Sequence, residues 1–222
     1  MIHDTSDPNI TFLGDTALLI EGPDSALTLL QQKRVWALSR ELARWPEILE
    51  VADGVNNLMV VPAAHLSDID AFTSRIHQAW HDVTPLEISG AVHSIEVTYG
   101  GKLAPHFKEV LDYLDMSVDD FVQLHTASLY TVYALGSHPG YCYLGGMNPK
   151  LTVPRRKSPI LNLPGGSLSI GGIQTGISAS AGPSGWNTVG HTDVSFFDHR
   201  RDPPALFSPG DQLKLEIKEI LA

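Results

Sequence analysis

One cysteine, Cys142, is the whole thiol complement of this 222-residue chain, so no intramolecular disulfide can form. That fits a reducing compartment. With only His106, His125 and His138 scattered around it, the thiol also lacks the partners and spacing of a zinc site. Long apolar runs are missing as well: none approaches the roughly 18–20 residues that span a bilayer. The opening MIHDTSDPNI does not have the basic-then-apolar order of a secretory signal. Positive charge is scarce. The formal net charge is −10 and the pI about 5.3. Basic residues cluster at Lys33–Arg34 and at Arg155–Arg156–Lys157, with a further pair at Arg200–Arg201. Such a balance speaks against nucleic acid and against anionic membrane surfaces as partners. These absences predict a soluble, cytoplasmic protein.

Two catalytic signatures are also lacking. The run Gly171-Gly172-Ile173-Gln174-Thr175-Gly176 has no Gly-Lys-Ser/Thr ending and no helix pattern after it. It is therefore neither a P-loop nor a dinucleotide fingerprint, and it reads as a tight β-turn. Gly136-Ser137-His138-Pro139-Gly140 carries histidine where a nucleophile elbow requires serine. A serine hydrolase acting alone is not expected.

What the chain does have is 43% hydrophobic residues, enough for a substantial core. Ile10–Ile20 is an apolar run broken at Gly14–Asp15 and predicts two short strands around a turn. Ala26–Trp45 places Leu27, Leu30, Val35, Leu38, Leu42 and Trp45 on one helical face, closed by Pro46. Asn57–Val61 reads as a buried strand. Ser67–Trp80 reads as a helix capped by Ser67, with Ile69, Phe72, Ile76 and Trp80 as its stripe. These elements predict an N-terminal α+β subdomain over residues 1–88, with the boundary in Thr84–Ala91.

Beyond it, Ser94–Tyr99 alternates as a strand. Short helices are expected over Pro105–Leu114 and from Ser117, with Asp120 three residues on. Tyr130–Leu135 is a further strand. After Gly136 the texture changes: Leu151–Val153, Ser167–Ile170, Ile177–Ala179, Val194–Phe197 and Gln212–Ile217 are short β-type runs between Gly, Pro, Asn and Ser. Such punctuation predicts a closed or nearly closed β-barrel over residues 89–222.

Several residues in this half have binding chemistry. Arg155 and Arg156 follow Pro154, and paired guanidinium groups on a Pro-rich loop can grip a carboxylate or carboxyphosphate. Gln174 and Thr175 can orient a small polar ligand. Ser180–Trp186 is a Gly/Ser/Pro loop whose N–H groups suit an anion.

Taken in order, PGYCYLGG (Pro139–Gly146), VPRR (Val153–Arg156), PGGSLSIGGIQTGI (Pro164–Ile177), SGWNTVGHT (Ser184–Thr192) and FSPGDQL (Phe207–Leu213) resemble the KipI-like family, which takes in allophanate hydrolase subunit 1 and the B-type subunit of 5-oxoprolinase. Weaker likenesses lie at Gly14–Glu21, Val97–Gly101 and Leu124–Gly136. The resemblance implies an α+β fold, in which an N-terminal α+β subdomain precedes a cyclophilin-like β-barrel. It implies a component inactive by itself, part of an ATP-dependent 5-oxoprolinase that opens pyroglutamate to glutamate, or of a related amide hydrolase or carboxyltransferase complex. ATP is then used by the assembly and not bound by a motif of this chain. The implied partners are a biotin-dependent carboxyltransferase-like subunit, the C-type member of 5-oxoprolinase, and a LamB/YcsF-type subunit. The alternative is a KipI-like binding protein that inhibits a sensor histidine kinase.

On this reading the ligand wall comprises Pro139, Gly140, Tyr143, Arg155, Gln174 and Thr175, with His138, Arg156, Trp186 and His191 as additional candidates. The chain departs from the family pattern at Ser137, at Lys102 and His106 where relatives carry acids, at Ile173 for a glycine, and at His191 for an arginine.

Overall fold

Gly14 turns the chain where the first apolar run breaks, with φ at +64°, a conformation that costs glycine nothing. In this computed structural model, which describes residues 6–23, 27–88 and 90–221, the turn joins β1 (Asn9–Leu13) to β2 (Ala17–Glu21) as an antiparallel hairpin. Then come α1 (Leu29–Leu42), β3 (Ile48–Asp53), β4 (Asn57–Pro62) and α2 (Ile69–Asp82). The strands form an antiparallel sheet in the order β1-β2-β4-β3. Leu18, Ile20, Leu58 and Val60 of the sheet pack against Val35, Leu38 and Leu42 of α1 and Phe72, Ile76 and Trp80 of α2.

Three details differ from the sequence reading. The expected helix start at Ala26 lies outside the described residues. The α1 stripe is rotated, because Leu30 is 64% exposed while Gln32 is fully buried. Gln32 is at home there: its Nε2 donates to Gly54 O and its Oε1 accepts from Asn56 N, so its carboxamide clasps the β3–β4 turn. On α2, Asp68 and not Ser67 is the cap. Its carboxylate accepts the Ala71 N–H at 2.9 Å, where the positive end of the helix dipole favours a negative charge. No helix among the described residues is long and apolar enough to cross a membrane.

Residues 89–222 form a second unit by Cα packing, and residues 1–88 the first. Its elements are β5 (Val92–Gly100), α3 (Phe107–Leu114), α4 (Val118–Ala127), β6 (Leu129–Leu135), β7 (Cys142–Gly145), β8 (Ile160–Leu163), β9 (Ser167–Gly171), β10 (Gln174–Ile177), β11 (Gly182–Ser184), β12 (Asn187–His191) and β13 (Gln212–Leu221). A closed barrel runs β10-β7-β6-β13-β5-β12-β9, while β8 and β11 pair as a separate ribbon. Every barrel pairing is antiparallel except β5 with β13. Val97, Leu144, Leu168, Ile170, Ile177, Leu213 and Leu215 fill the interior, joined by Phe107 of α3 and Phe121 of α4. Ser117 caps α4 as expected, accepting the Asp120 N–H.

Some expected strands are not strands. Leu151–Val153 begins inside a 3-10 turn, Pro149–Leu151, because Asn148 caps that turn and accepts from Lys150 N; Val153 then makes a single bridge to Gly172. The run Ile177–Ala179 is displaced, since β10 starts at Gln174 and ends at Ile177. Val194–Phe197 has one bridge, Phe197 to Ala205. Its apolar spacing reflects Phe196 entering the core and not a sheet face.

Candidate binding face on the barrel

Opposed residues of antiparallel strands share a face, and neighbours along a strand do not. Thr175 is paired with Leu144 and Ile170, both core residues, so it faces the barrel interior. Tyr143 is paired with Gly176, and Gly176 with Ser169, so these lie on the outer side. Gln174, two residues before Gly176, shares that side and is half-buried. Sequence neighbours Gln174 and Thr175 thus part company: one can meet a ligand on the outer face and the other cannot.

Three aromatic rings meet on the outer side. Tyr141 and Tyr143 are 4.7 Å apart between centroids, Tyr143 and Trp186 5.9 Å, and Tyr141 and Trp186 6.2 Å. Two glycines make room for them. A Cβ at Gly171 would lie 2.6 Å from the Trp186 ring, and one at Gly176 would lie 2.7 Å from the Tyr141 hydroxyl. Burial pushes the Tyr141 hydroxyl well above the ordinary phenol range, with Tyr143 adding to it, so this ring is a neutral donor.

The two arginines diverge. Arg155 is exposed and its guanidinium carbon lies 5.6 Å from the Trp186 centroid, a cation–π placement. Arg156 turns the other way. Its Nη1 donates to Glu109 Oε2 at 2.7 Å and lies 3.5 Å from Asn187 Oδ1, and its N–H donates to Gly185 O. Arg156 therefore ties the loop to α3 and β12, and the double grip on one anion is not formed.

The remaining expected residues divide in the same way. Pro139 is exposed on the turn before β7. Gly140 has φ +80°, and a Cβ there would lie 2.7 Å from Phe197 Cβ, so only glycine fits. His138 packs its ring on Tyr141 at 5.3 Å, and its Nε2 accepts the N–H groups of Ala179 and Ser180. His191 Nε2 lies 3.0 Å from Gly165 O and donates to it. His106 is buried: its Nδ1 accepts Thr188 N–H and its own N–H donates to Thr188 O, which fastens the start of α3 to β12. Burial holds its pKa below the ordinary value, and Arg156 lowers it further. Lys102 is exposed in the turn after β5.

Inside the barrel is a polar chain that the sequence did not disclose. The Tyr99 hydroxyl donates to His125 Nδ1 at 2.9 Å, His125 Nε2 lies 3.4 Å from Thr175 Oγ1, and Thr175 donates to Ser169 O at 3.0 Å. Neutral imidazole protonated at Nε2 satisfies every link. Burial lowers the His125 pKa to about 3. Tyr141, Glu109 and Asn187 are likewise missing from the sequence-expected wall. Tyr141 was the one with a local signal, since it stands between Gly140 and Tyr143 in the same motif.

No nucleophile–base pair forms on this face among the described residues. Ser178 Oγ comes within 3.5 Å of His138 Nε2, but its proton goes to Ser180 O and the imidazole lone pair is already taken by two N–H groups. A groove of about 580 Å³ lies in the first unit and is lined by Phe12, Leu18, Val61, His65, Leu66 and Ile69 among others. None of the expected site residues lines it. The barrel face has what that groove lacks: a cluster of three aromatic rings, tilted and edge-to-face, beside a guanidinium group.

The family described as carboxyltransferase domain, subdomain C and D, matches residues 8–207. The B-type subunit of 5-oxoprolinase from Escherichia coli O157:H7 is 38% identical over 203 residues, covering 91% of this chain and 92% of that protein. The crystal structure of TTHA0988 superposes with a TM-score of 0.74 at 28% identity over 91% of this chain, which spans 40% of that one. The urea amidolyase of K. lactis gives a TM-score of 0.81 at 18% identity, over 97% of this chain and 15% of its own, a likeness of fold.

Proposed function

The chain belongs to the carboxyltransferase-domain family, in its subdomains C and D, and from that membership we propose that it is the B-type subunit of an ATP-dependent 5-oxoprolinase. The observation that carries this reading is the match to the B-type 5-oxoprolinase protein along nearly the full length of both chains. The barrel face agrees with it. A cluster of tilted and edge-to-face rings and one exposed guanidinium can hold a small, negatively charged ligand, yet the face offers no base and no nucleophile to act on it. Such a face is one wall of a site that other proteins of the assembly complete.

The proposed roles follow from the geometry. Arg155, set over Trp186, meets the ligand's carboxylate. Tyr143 and Tyr141 form the apolar floor, and Gln174 donates or accepts from the ligand's amide. Pro139 and Gly140 shape the rim. Thr175, His106, Arg156 and His191 hold the wall in place from behind. In the assembly, ATP bound by another subunit would pass its terminal phosphoryl group to the amide oxygen and leave as ADP; one water adds to the activated carbon, the ring C–N bond breaks to give the amine and an acyl phosphate, and a second water hydrolyses that acyl phosphate to glutamate and phosphate. The partners are a carboxyltransferase-like subunit of the C type and a LamB/YcsF-type subunit, and the complex works in the cytoplasm. Residues 1–88 and 89–222 serve as its N-terminal and barrel domains.

The test is ATP-dependent release of glutamate from 5-oxoproline by the chain purified with both partners. Omitting this chain should abolish it. Arg155→Ala should lower kcat/KM by about tenfold or more, the loss of one charge-assisted contact, with an unchanged melting temperature. Full activity of Arg155→Ala would remove Arg155 from the site. Turnover without this chain would overturn the subunit reading, and inhibition of a sensor kinase by the chain alone would replace it with a binding role.

A further inference from the structure

Two main-chain donors converge on a single acceptor beside the aromatic face. The N–H groups of Ala179 and Ser180 both point at His138 Nε2, at 3.2 and 3.3 Å, and the Ser178 hydroxyl oxygen borders the same point at 3.5 Å. Successive N–H groups turned to one side make a concavity of partial positive charge, the arrangement that binds anionic oxygens elsewhere in proteins. Here the concavity holds the lone pair of a neutral imidazole. A carboxylate or phosphate oxygen is a stronger acceptor for the same two donors.

The plug is held with some strain. It is carried by Ser137, whose φ of +63° lies in the left-handed region that a serine adopts at a cost. The groups packed around His138 are Tyr141, Ser178, Ala179 and Ser180, and burial is what lowers its pKa. An incoming anion would therefore meet no carboxylate among these neighbours. Arg155 is close enough to act on the Tyr141 hydroxyl, and His138 packs against the Tyr141 ring.

We propose that the Ala179 and Ser180 N–H groups are an oxyanion-binding notch of the ligand wall, that His138 Nε2 is its resident stand-in, and that a carboxylate or phosphate oxygen enters by displacing the imidazole. This rests on reading the Tyr141–Trp186 face as the ligand wall. The ligand class is a small molecule with one free oxyanion, anchored in the notch while its flat part lies on the rings. The histidine makes the notch selective, because a weak acceptor such as a neutral carbonyl gains too little to expel it.

The experiment is an amide NMR titration of the full chain with acetate and, separately, inorganic phosphate. In His138→Ala at pH 7.5 the Ala179 and Ser180 amides should shift saturably with one of them, and the anion that does so names the source of the oxygen. Wild type should need about tenfold more anion or more, since one hydrogen bond's worth of competition must be overcome. His138→Gln, which keeps an acceptor in the notch, should behave like wild type. Once His138 is protonated, below its depressed pKa, it can no longer accept, and wild type should approach His138→Ala. Unmoved Ala179 and Ser180 amides in His138→Ala, or equal titration of all three proteins, would overturn the proposal. If His138→Ala does not fold, wild type decides: the pH is lowered until the His138 ring resonances report protonation, and a phosphate response no tighter there than at pH 7.5 sinks it. The titration uses neither partner nor turnover, so its failure leaves the subunit reading untouched, and loss of that reading leaves the titration interpretable.

Discussion

Replacing His125 by glutamine should flatten the acid side of this protein's stability curve. His125 is fully buried and ringed by Tyr99, Phe121 and Tyr130 at 5.5–5.8 Å between centroids. Burial lowers its pKa from the ordinary 6.5 to about 3. In the unfolded chain the same ring takes up a proton below 6.5, while the folded chain refuses it down to about 3. Stability is therefore whole above pH 6.5 and drains away as pH falls toward 3. The gap of roughly 3.5 pH units, at about 1.4 kcal/mol each, amounts to about 5 kcal/mol in full and about 3 kcal/mol between pH 7 and pH 4.

His125→Gln keeps a neutral donor and acceptor between Tyr99 and Thr175 but cannot titrate. It should cost about 1–3 kcal/mol at pH 7 through imperfect hydrogen bonds. That deficit should close, and change sign or nearly so, by pH 4. Urea unfolding followed by aromatic circular dichroism at half-unit pH steps measures it, with the slope against urea checked for constancy. His106 and His138 also have pKa values lowered by burial, but they are present in both proteins and cancel in the difference. Stability curves that stay parallel from pH 7 to pH 4 would refute the reasoning.

Gly171→Ala should expel Trp186 from the sheet, because its Cβ would lie 2.6 Å from the indole. A cost of about 1–3 kcal/mol and a red-shifted Trp186 emission are expected, together with weaker ligand binding as Arg155 loses its platform. Cys142 is buried and its thiol is pushed up to about 12 by that burial. At pH 8 about one thiol in ten thousand is then ionised, so iodoacetamide should leave the native protein unlabelled and label it fully in urea. Rapid native labelling would contradict the placement of Cys142 inside the barrel.

The sequence was most informative where glycine or an aromatic ring had a single place to go. Gly14 announced its turn, and the PGYCY and SGW motifs brought Tyr143 and Trp186, though not Tyr141, into the expected wall. It was least informative where a side chain's direction mattered. Gln174 and Thr175, or Arg155 and Arg156, look like pairs when written side by side. Strand backbone sends Gln174 and Thr175 to opposite faces, and in the loop Arg155 meets Trp186 while Arg156 bonds Glu109, so one of each pair serves the outer surface and the other the framework. His125 was illegible for another reason. On α4 it is one polar residue in a helical pattern, and only the closing of β9 and β10 beside it supplies Thr175 as its second partner. The strand β3 was hidden because ILEVAD has no clean alternation, its exposure being set by an edge position in the sheet. The cap at Asp68 beat Ser67 on charge, a choice that two adjacent capping residues leave open in a string of letters.

The last strand of the barrel separates two strands that come before it. β5 and β6 are consecutive strands in the chain, yet they do not pair with each other, because β13 lies between them, parallel to the first and antiparallel to the second. During synthesis the barrel therefore stays an open sheet with two bare edges until residues 212–221 have left the ribosome. For all that time the strands offer unpaired N–H and C=O groups to any passing chain. A stop codon or a frameshift just ahead of residue 212 would leave most of both cores made and the sheet unsealed, a product fit for aggregation or for the proteases.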